Sequence, residues 1–183
     1  MRKSFKLENL DCANCAAKME AGINELPGVN KASISFMTSK LMIDADAADA
    51  ERAAYLAKAD LVTGAVVEFT SVQGIMGSYY AKAAGETDAV ARAIADHYRP
   101  RFSGDDVPAE RVGCIVAIAD KLDTICGLFA IGQGPTGSSD PFALRRSALG
   151  IVTMLLSDKG LDISLGAAID VALASYAAQG IEF

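Results

Sequence analysis

From Glu51 to Gly77 the chain reads "ERAAYLAKADLVTGAVVEFTSVQGIMG", and two folds compete for it. Its first half is alanine-rich and strongly helix-forming. Its second half contains "AVVEF", whose valines and phenylalanine favour a strand, with Gly64 available for the preceding turn. Read as helix then strand, the stretch completes a small sheet begun by the residues before it. Read as helix throughout, Ala54, Leu56, Leu61, Val62, Ala65, Val66 and Phe69 line one broad face, and Gly64 costs only about 1 kcal/mol. We expect the first arrangement, with Glu51–Asp60 as helix and Leu61–Phe69 as strand. A three-stranded fragment would otherwise expose backbone groups and apolar surface.

Upstream, the pattern is strand, helix, strand, strand. "RKSFKLEN" alternates as a strand with Phe5 and Leu7 on one side. In "AAKMEAGINEL" the residues Ala16, Met19, Ile23 and Leu26 follow a helical stripe, and "PGV" stops it. "NKASISF" then alternates Ala32, Ile34 and Phe36, and "KLMIDAD" supplies its hairpin partner. Between the first strand and the helix lies "LDCANC". Two cysteines three apart at a helix start are a redox dithiol, a pair of metal thiolates or merely helix-start cysteines. Both uses exploit the helix N-terminus, whose free amides favour thiolate over thiol. The Ala-Asn pair between the cysteines and the flanking topology argue against a thioredoxin-like dithiol. Two soft thiolates suit Zn(II), Cd(II) or Cu(I).

The segment from about Lys3 to Asp46, with "LDCANCAAKME", "LPGV" and the "ASISF…KLMI" hairpin, resembles the heavy-metal-associated domain of soft-metal transport ATPases and metallochaperones. The resemblance implies a ferredoxin-like βαββαβ domain that binds metal through Cys12 and Cys15. Asp11, immediately before the first cysteine, matches the members associated with Zn(II), Cd(II) or Pb(II). A carboxylate also adds a harder third ligand and offsets divalent charge, so Zn or Cd is expected over Cu(I). Met19 is read as a core residue.

Downstream the pattern is helical. Thr87 or Asp88 caps "TDAVARAIADHYRPRF" and Pro100 ends it, while Pro108 sits near the start of "AERVGCIVAIADKLDTICGLFAI". Val112, Val116, Ala119, Leu122 and Cys126 form a stripe on that helix. "GQGPTGSSDP" is a loop, Asp140 caps and Pro141 starts the next helix, and "SLGAAIDVALASYAA" is the last. Cys114 and Cys126 stand alone in apolar surroundings and read as small core residues. The loop lacks the Gly-Lys-Ser/Thr ending of a P-loop.

The stretches "ERAAYLAKADLVT", "EFTSVQGIMGSYYA", "ARAIADHYRPRF", "ADKLDT" and "PTGSSDPFALRRSALGI" together resemble, in order over Glu51–Tyr176, the interior of the bacterial glycyl-tRNA synthetase beta subunit. That resemblance implies an all-helical domain, related to HD phosphohydrolases with a degenerate metal site, that supports tRNA aminoacylation beside an alpha subunit. Degeneracy is visible in the residues. His97 is the chain's one histidine and is followed by Tyr98, and Asp120 and Asp123 have no imidazole beside them in sequence. His97 reads as structural with RNA contact as the alternative. Arg145 and Arg146 read as contacting neighbouring acids or RNA phosphate.

The whole is thus expected to be α+β. A ferredoxin-like metal-binding domain spans residues 1–70 and an all-helical, HD-like domain spans 71–183. The two resemblances meet near residues 47–51, as in a chimera. Residues 1–48 hold six basic and six acidic groups, whereas 49–183 hold eleven against seventeen, within a net charge of -6. That acidity argues against strong nonspecific nucleic-acid binding, which rests on phosphate contacts. The apolar run from Gly113 to Gly132 is interrupted by Asp120, Lys121 and Asp123, which disfavours a membrane span. The reduced cysteines and the lack of a visible signal peptide point to the cytosol. We expect a binding protein for a soft divalent metal rather than a complete aminoacylating enzyme, since no ATP motif is present. The alternative is an accessory translation protein that binds tRNA or a synthetase alpha subunit.

Overall fold

A computed structural model describes residues 2–6, 13–25, 29–35, 37–159, 161 and 163–181. Strands β1 (Arg2–Lys6), β2 (Val29–Ser35) and β3 (Lys40–Ala45) form an antiparallel sheet in the order β1-β3-β2. Phe5 sits opposite Leu41, and Ile34 sits opposite Leu41 from the other side. Helix α1 (Ala13–Asn24) packs along β2. Asn24 fixes the packing: its side chain donates to the Ala32 carbonyl at 2.9 Å and accepts from the Ala32 amide at 2.7 Å. Glu20 accepts from the Ile34 amide at 2.6 Å. An edge strand's spare backbone groups are thereby satisfied by side chains of the helix that covers it.

The sheet acquires no fourth strand from Leu61–Phe69, which corrects the expected βαββαβ completion. After β3 the chain enters α2 (Asp46–Leu56), a 3-10 turn at Ala59–Val62, and the short α3 (Gly64–Glu68). Thr63 stays extended between the last two, so the helical path is interrupted rather than continuous. The reason is tertiary. Ala50, Ala53 and Ala57 of this region are buried together with Ala81, Val90, Ala91, Ala93, Ile94, Val112 and Val116. Small residues at three- and four-residue spacing let α2 approach α5 and α6 closely. The broad face read from the sequence does not form: Leu61, Val62 and Phe69 are exposed, and Val66 is the buried member.

The helical part continues with α4 (Ile75–Ala83), α5 (Asp88–Asp96), α6 (Arg111–Ala130), α7 (Leu144–Leu155) and α8 (Leu165–Ala177). Thr87 caps α5, its hydroxyl accepting from the Val90 amide at 3.2 Å. Ser164 caps α8 in the same way through Ala167. Helix α6 is the axle. Val112 and Val116 face the first cluster, and Cys114, Ala117, Ile118 and Leu122 face a second with Ile151, Met154 and Ala168. A helix flanked on several sides must be apolar around most of its circumference, which is why its sequence is so nearly continuous in hydrophobic residues. Cys114 and Cys126 are buried free thiols, and burial raises both above their ordinary range. Ala119, expected on the buried stripe, is exposed.

Two helix starts lie elsewhere than expected. Pro108 precedes α6 by three residues, and its carbonyl receives the Cys114 thiol at 3.6 Å. Pro141 lies outside α7, which begins after Ala143 in a left-handed conformation at φ 56°. Asp140 still serves that helix, accepting from the amides of Leu144 at 2.8 Å and Arg145 at 3.0 Å.

Candidate functional site

A concavity of about 600 Å³ lies where the link between α5 and α6 meets α6 and the start of α7. Its construction begins with His97 at the C-terminus of α5. The imidazole is fully buried, and its Nδ1 lies 2.7 Å from the Ile94 carbonyl. A carbonyl only accepts, so the proton sits on Nδ1 and Nε2 is left as a bare acceptor without a protein partner. Burial lowers the pKa and the Ile94 carbonyl raises it; burial is the larger effect, so the ring is held neutral. His97, expected as structural with RNA contact as the alternative, has no exposed surface. Its ring packs against Tyr98 at 3.9 Å between centroids.

Tyr98 in turn faces cations. The Lys58 ammonium lies 5.0 Å and the Arg101 guanidinium 6.0 Å from its ring centre. Lys58 also pairs with Asp120 at 2.8 Å. Asp123, three residues on, points to α8 and accepts from the Tyr176 hydroxyl at 2.9 Å. The two aspartates that sequence placed three apart therefore serve different neighbours and do not converge.

At the floor is Lys121, in sequence a charge that interrupts an apolar run. It is 7% exposed, and its ammonium donates to the carbonyls of His97 at 3.2 Å and Arg99 at 2.8 Å. Gly150 of α7 leaves room for it, since a Cβ there would stand 3.3 Å from Lys121 Cε. Burial lowers the Lys121 pKa from 10.5 to about 8, against the opposing pull of Asp120. A signal was available in the sequence: Lys121 falls four and seven residues after Ala117 and Cys114, on a buried stripe.

Arg146 extends over the same cleft and donates to the Arg101 carbonyl at 3.2 Å. Arg145 turns away and donates to the Gly137 carbonyl at 2.8 Å. Neither guanidinium reaches a carboxylate among the described residues. Both stay exposed.

Of the expected metal donors, Asp11 and Cys12 lie outside the described residues, as does the side chain of Cys15. The backbone of α1 begins at Ala13, between the two cysteines. Among the described residues no group of three or more His, Cys, Asp or Glu side chains is placed to hold a metal ion. No helix among them is long and apolar enough to cross a membrane.

Comparison with known proteins matches residues 28–182 to the glycyl-tRNA synthetase beta subunit. The match takes in β2 and β3 as well as the helical part, and so covers part of the segment expected to form a separate heavy-metal-associated domain. The glycine–tRNA ligase beta subunit of Thiobacillus denitrificans is 56% identical over 137 residues, 75% of this chain and 19% of that protein. That of Janthinobacterium sp. is 59% identical over 129 residues, 70% of this chain and 18% of the relative. That of Myxococcus xanthus is 56% identical over 128 residues, with 70% and 18% covered. The chain spans about a fifth of the length of these relatives. With 155 of its 183 residues inside the matched range, the chain belongs to the glycyl-tRNA synthetase beta subunit family.

Proposed function

We propose that the helical part acts as a noncatalytic structural element of a glycyl-tRNA synthetase, supporting tRNA aminoacylation by a partner alpha subunit. The observation that carries this reading is how the polar groups of the central cleft are used. His97 gives its Nδ1 proton to the Ile94 carbonyl, Asp120 is held by Lys58, and Lys121 ties two carbonyls of the α5–α6 link together. A hydrolytic metal site needs such groups free to converge on one ion; here they serve architecture. On this reading the functional division falls at the end of β3, with residues 46–183 as the helical unit. In the test, residues 51–176 replace the matching segment of the Thiobacillus denitrificans beta subunit, which is assembled with its alpha subunit and assayed for glycylation of tRNA. Activity within about tenfold of the parent is expected, a barrier change of about 1.4 kcal/mol. An assembled but inactive hybrid would refute it.

A second reading concerns the N-terminal segment. The start of α1 between Cys12 and Cys15, and its packing on an antiparallel sheet, favour a soft-metal site on Cys12, Cys15 and Asp11. Helix-terminal amides stabilise thiolates, and two thiolates with a carboxylate suit Zn(II) or Cd(II). Titration of the reduced protein with Cd(II), followed by thiolate-to-metal ultraviolet absorption, should show one site that the C12S/C15S variant lacks. An unchanged titration in that variant would remove the site.

A further inference from the structure

We propose that the cleft between the α5–α6 link and α7 binds a mononucleotide-class organic phosphate, with Arg101, Lys121 and Arg146 holding the phosphoryl oxygens and Phe142 supporting the base. The inference goes beyond membership of the synthetase family and does not depend on it.

From Arg52 to Lys159 the helical part has eleven basic side chains. Seven of them, Arg52, Lys58, Lys82, Arg92, Arg99, Arg111 and Lys159, are in ion pairs with carboxylates. The other four are Arg101, Lys121, Arg145 and Arg146, and three of these line one cleft. In a chain of net charge -6, three cations without carboxylate partners among the described residues, gathered in a single concavity, are a concentration of positive charge. The cleft's own acid, Asp120, is already neutralised by Lys58 at 2.8 Å.

Donor chemistry points the same way. An ammonium has three protons. Lys121 directs two of them to the carbonyls of His97 and Arg99, and the third has no protein acceptor among the described residues. Arg146 gives Nη1 to a carbonyl, and Arg101 rests its guanidinium over Tyr98. Each therefore keeps donors for the forked contacts that guanidinium makes with phosphate. Ser71, Gln73 and Ser147 add neutral polar groups to the lining, and Phe142, 47% exposed, adds an aromatic surface on which a base can stack. A volume of about 600 Å³ suits a ligand of mononucleotide size. The prevailing acidity of residues 49–183, seventeen acids against eleven bases, favours a small anion over a long polyanion.

Isothermal titration calorimetry of the full chain at low salt, with adenosine 5′-monophosphate and with inorganic phosphate, tests this. One AMP should bind with a Kd on the order of 0.1–1 mM, and phosphate about tenfold more weakly because it lacks the base. R101Q and R146Q, both at exposed positions, should each weaken AMP about tenfold. F142A should weaken AMP while leaving phosphate unchanged, and R92Q, distant on α5, should alter neither. K121M removes donors from two carbonyls and risks misfolding, so the two arginine variants decide the matter. Absence of AMP binding up to about 10 mM, or binding indifferent to R101Q and R146Q, would overturn the proposal. So would equal losses of AMP and phosphate in F142A. A short single-stranded RNA that binds far more tightly than AMP, with a steep salt dependence, would reassign the cleft to RNA.

Discussion

Replacing Asp60 by alanine should unfold the helical part far more readily than its place in a short 3-10 turn suggests. Asp60 is 1% exposed, and its Oδ2 accepts from the Gly74 amide at 2.6 Å and the Gly77 amide at 2.9 Å. These amides lie at the N-terminus of α4, where helix donors lack partners and negative charge is favoured. Alanine would strand both in a site closed to water. A charge-assisted hydrogen bond contributes about 1.5–3 kcal/mol, so two give an upper figure of about 3–6 kcal/mol. Against this, Asp60 Oδ1 is buried without a partner, and deleting the carboxylate relieves its desolvation. A net loss of about 3 kcal/mol follows for D60A. D60N can turn its amide oxygen to the same donors but loses the charge and buries an unpaired NH2, for about 1–2 kcal/mol. The D60A loss corresponds to a fall in Tm of about 6–12 °C for a chain of this size. The sheet and the helical part need not unfold together, so the decisive readout is hydrogen exchange at α5 and α6 amides. Both variants should speed it in the order D60A, D60N, wild type. If D60A stayed within about 0.5 kcal/mol of wild type, the carboxylate would not be anchoring residues 46–70 to the helices.

Three further outcomes follow from single residues. G77A places a Cβ 2.8 Å from Ile94 Cγ2 and 3.1 Å from Asp60 Oδ2, and should cost about 1–3 kcal/mol in urea unfolding, with a smaller but persisting cost in a D60A background because the Ile94 contact remains. T87A removes the α5 cap and a 3.3 Å contact to Asp49, and should cost about 1 kcal/mol by the same measurement. Lys121 supplies a pH signature. Its folded pKa of about 8 lies below the ordinary 10.5, so between those values the unfolded chain holds a proton that the folded chain has released. Stability from this group therefore rises with pH across that window, and the urea midpoint of wild type relative to K121M should rise with it; a constant difference would contradict a buried, desolvated ammonium.

Much of the helical part is legible in the sequence because its boundaries are chemical. Thr87 accepts from the amide three residues on, a role expected from the residue and the apolar run behind it, and Ser164 does the same for α8. The start of α7 is less so. Asp140 does accept helix amides, but Ala143 adopts a left-handed conformation, and alanine announces no such thing. The N-terminal strands were visible in their alternation, and their pairing follows the expected hairpin, while the candidate metal donors lie outside the described residues.

Leu61–Phe69 shows where local reading runs out. "AVVEF" has the composition of a strand, yet Gly64–Glu68 is helical. What decides it lies elsewhere in the chain: the alanine face of α2 against α5 and α6, and a carboxylate bonded to amides 14 and 17 residues away. Asp60 so tethered holds the Ala59–Val62 turn against α4. Lys121 teaches the converse lesson. From sequence it is an interruption in an apolar helix, whereas in three dimensions its charge lies between carbonyls on one side and an open cleft on the other. A buried charge is costly unless its donors are used. Two of its three protons brace the α5–α6 link, and the third is the donor that the proposed phosphate would take.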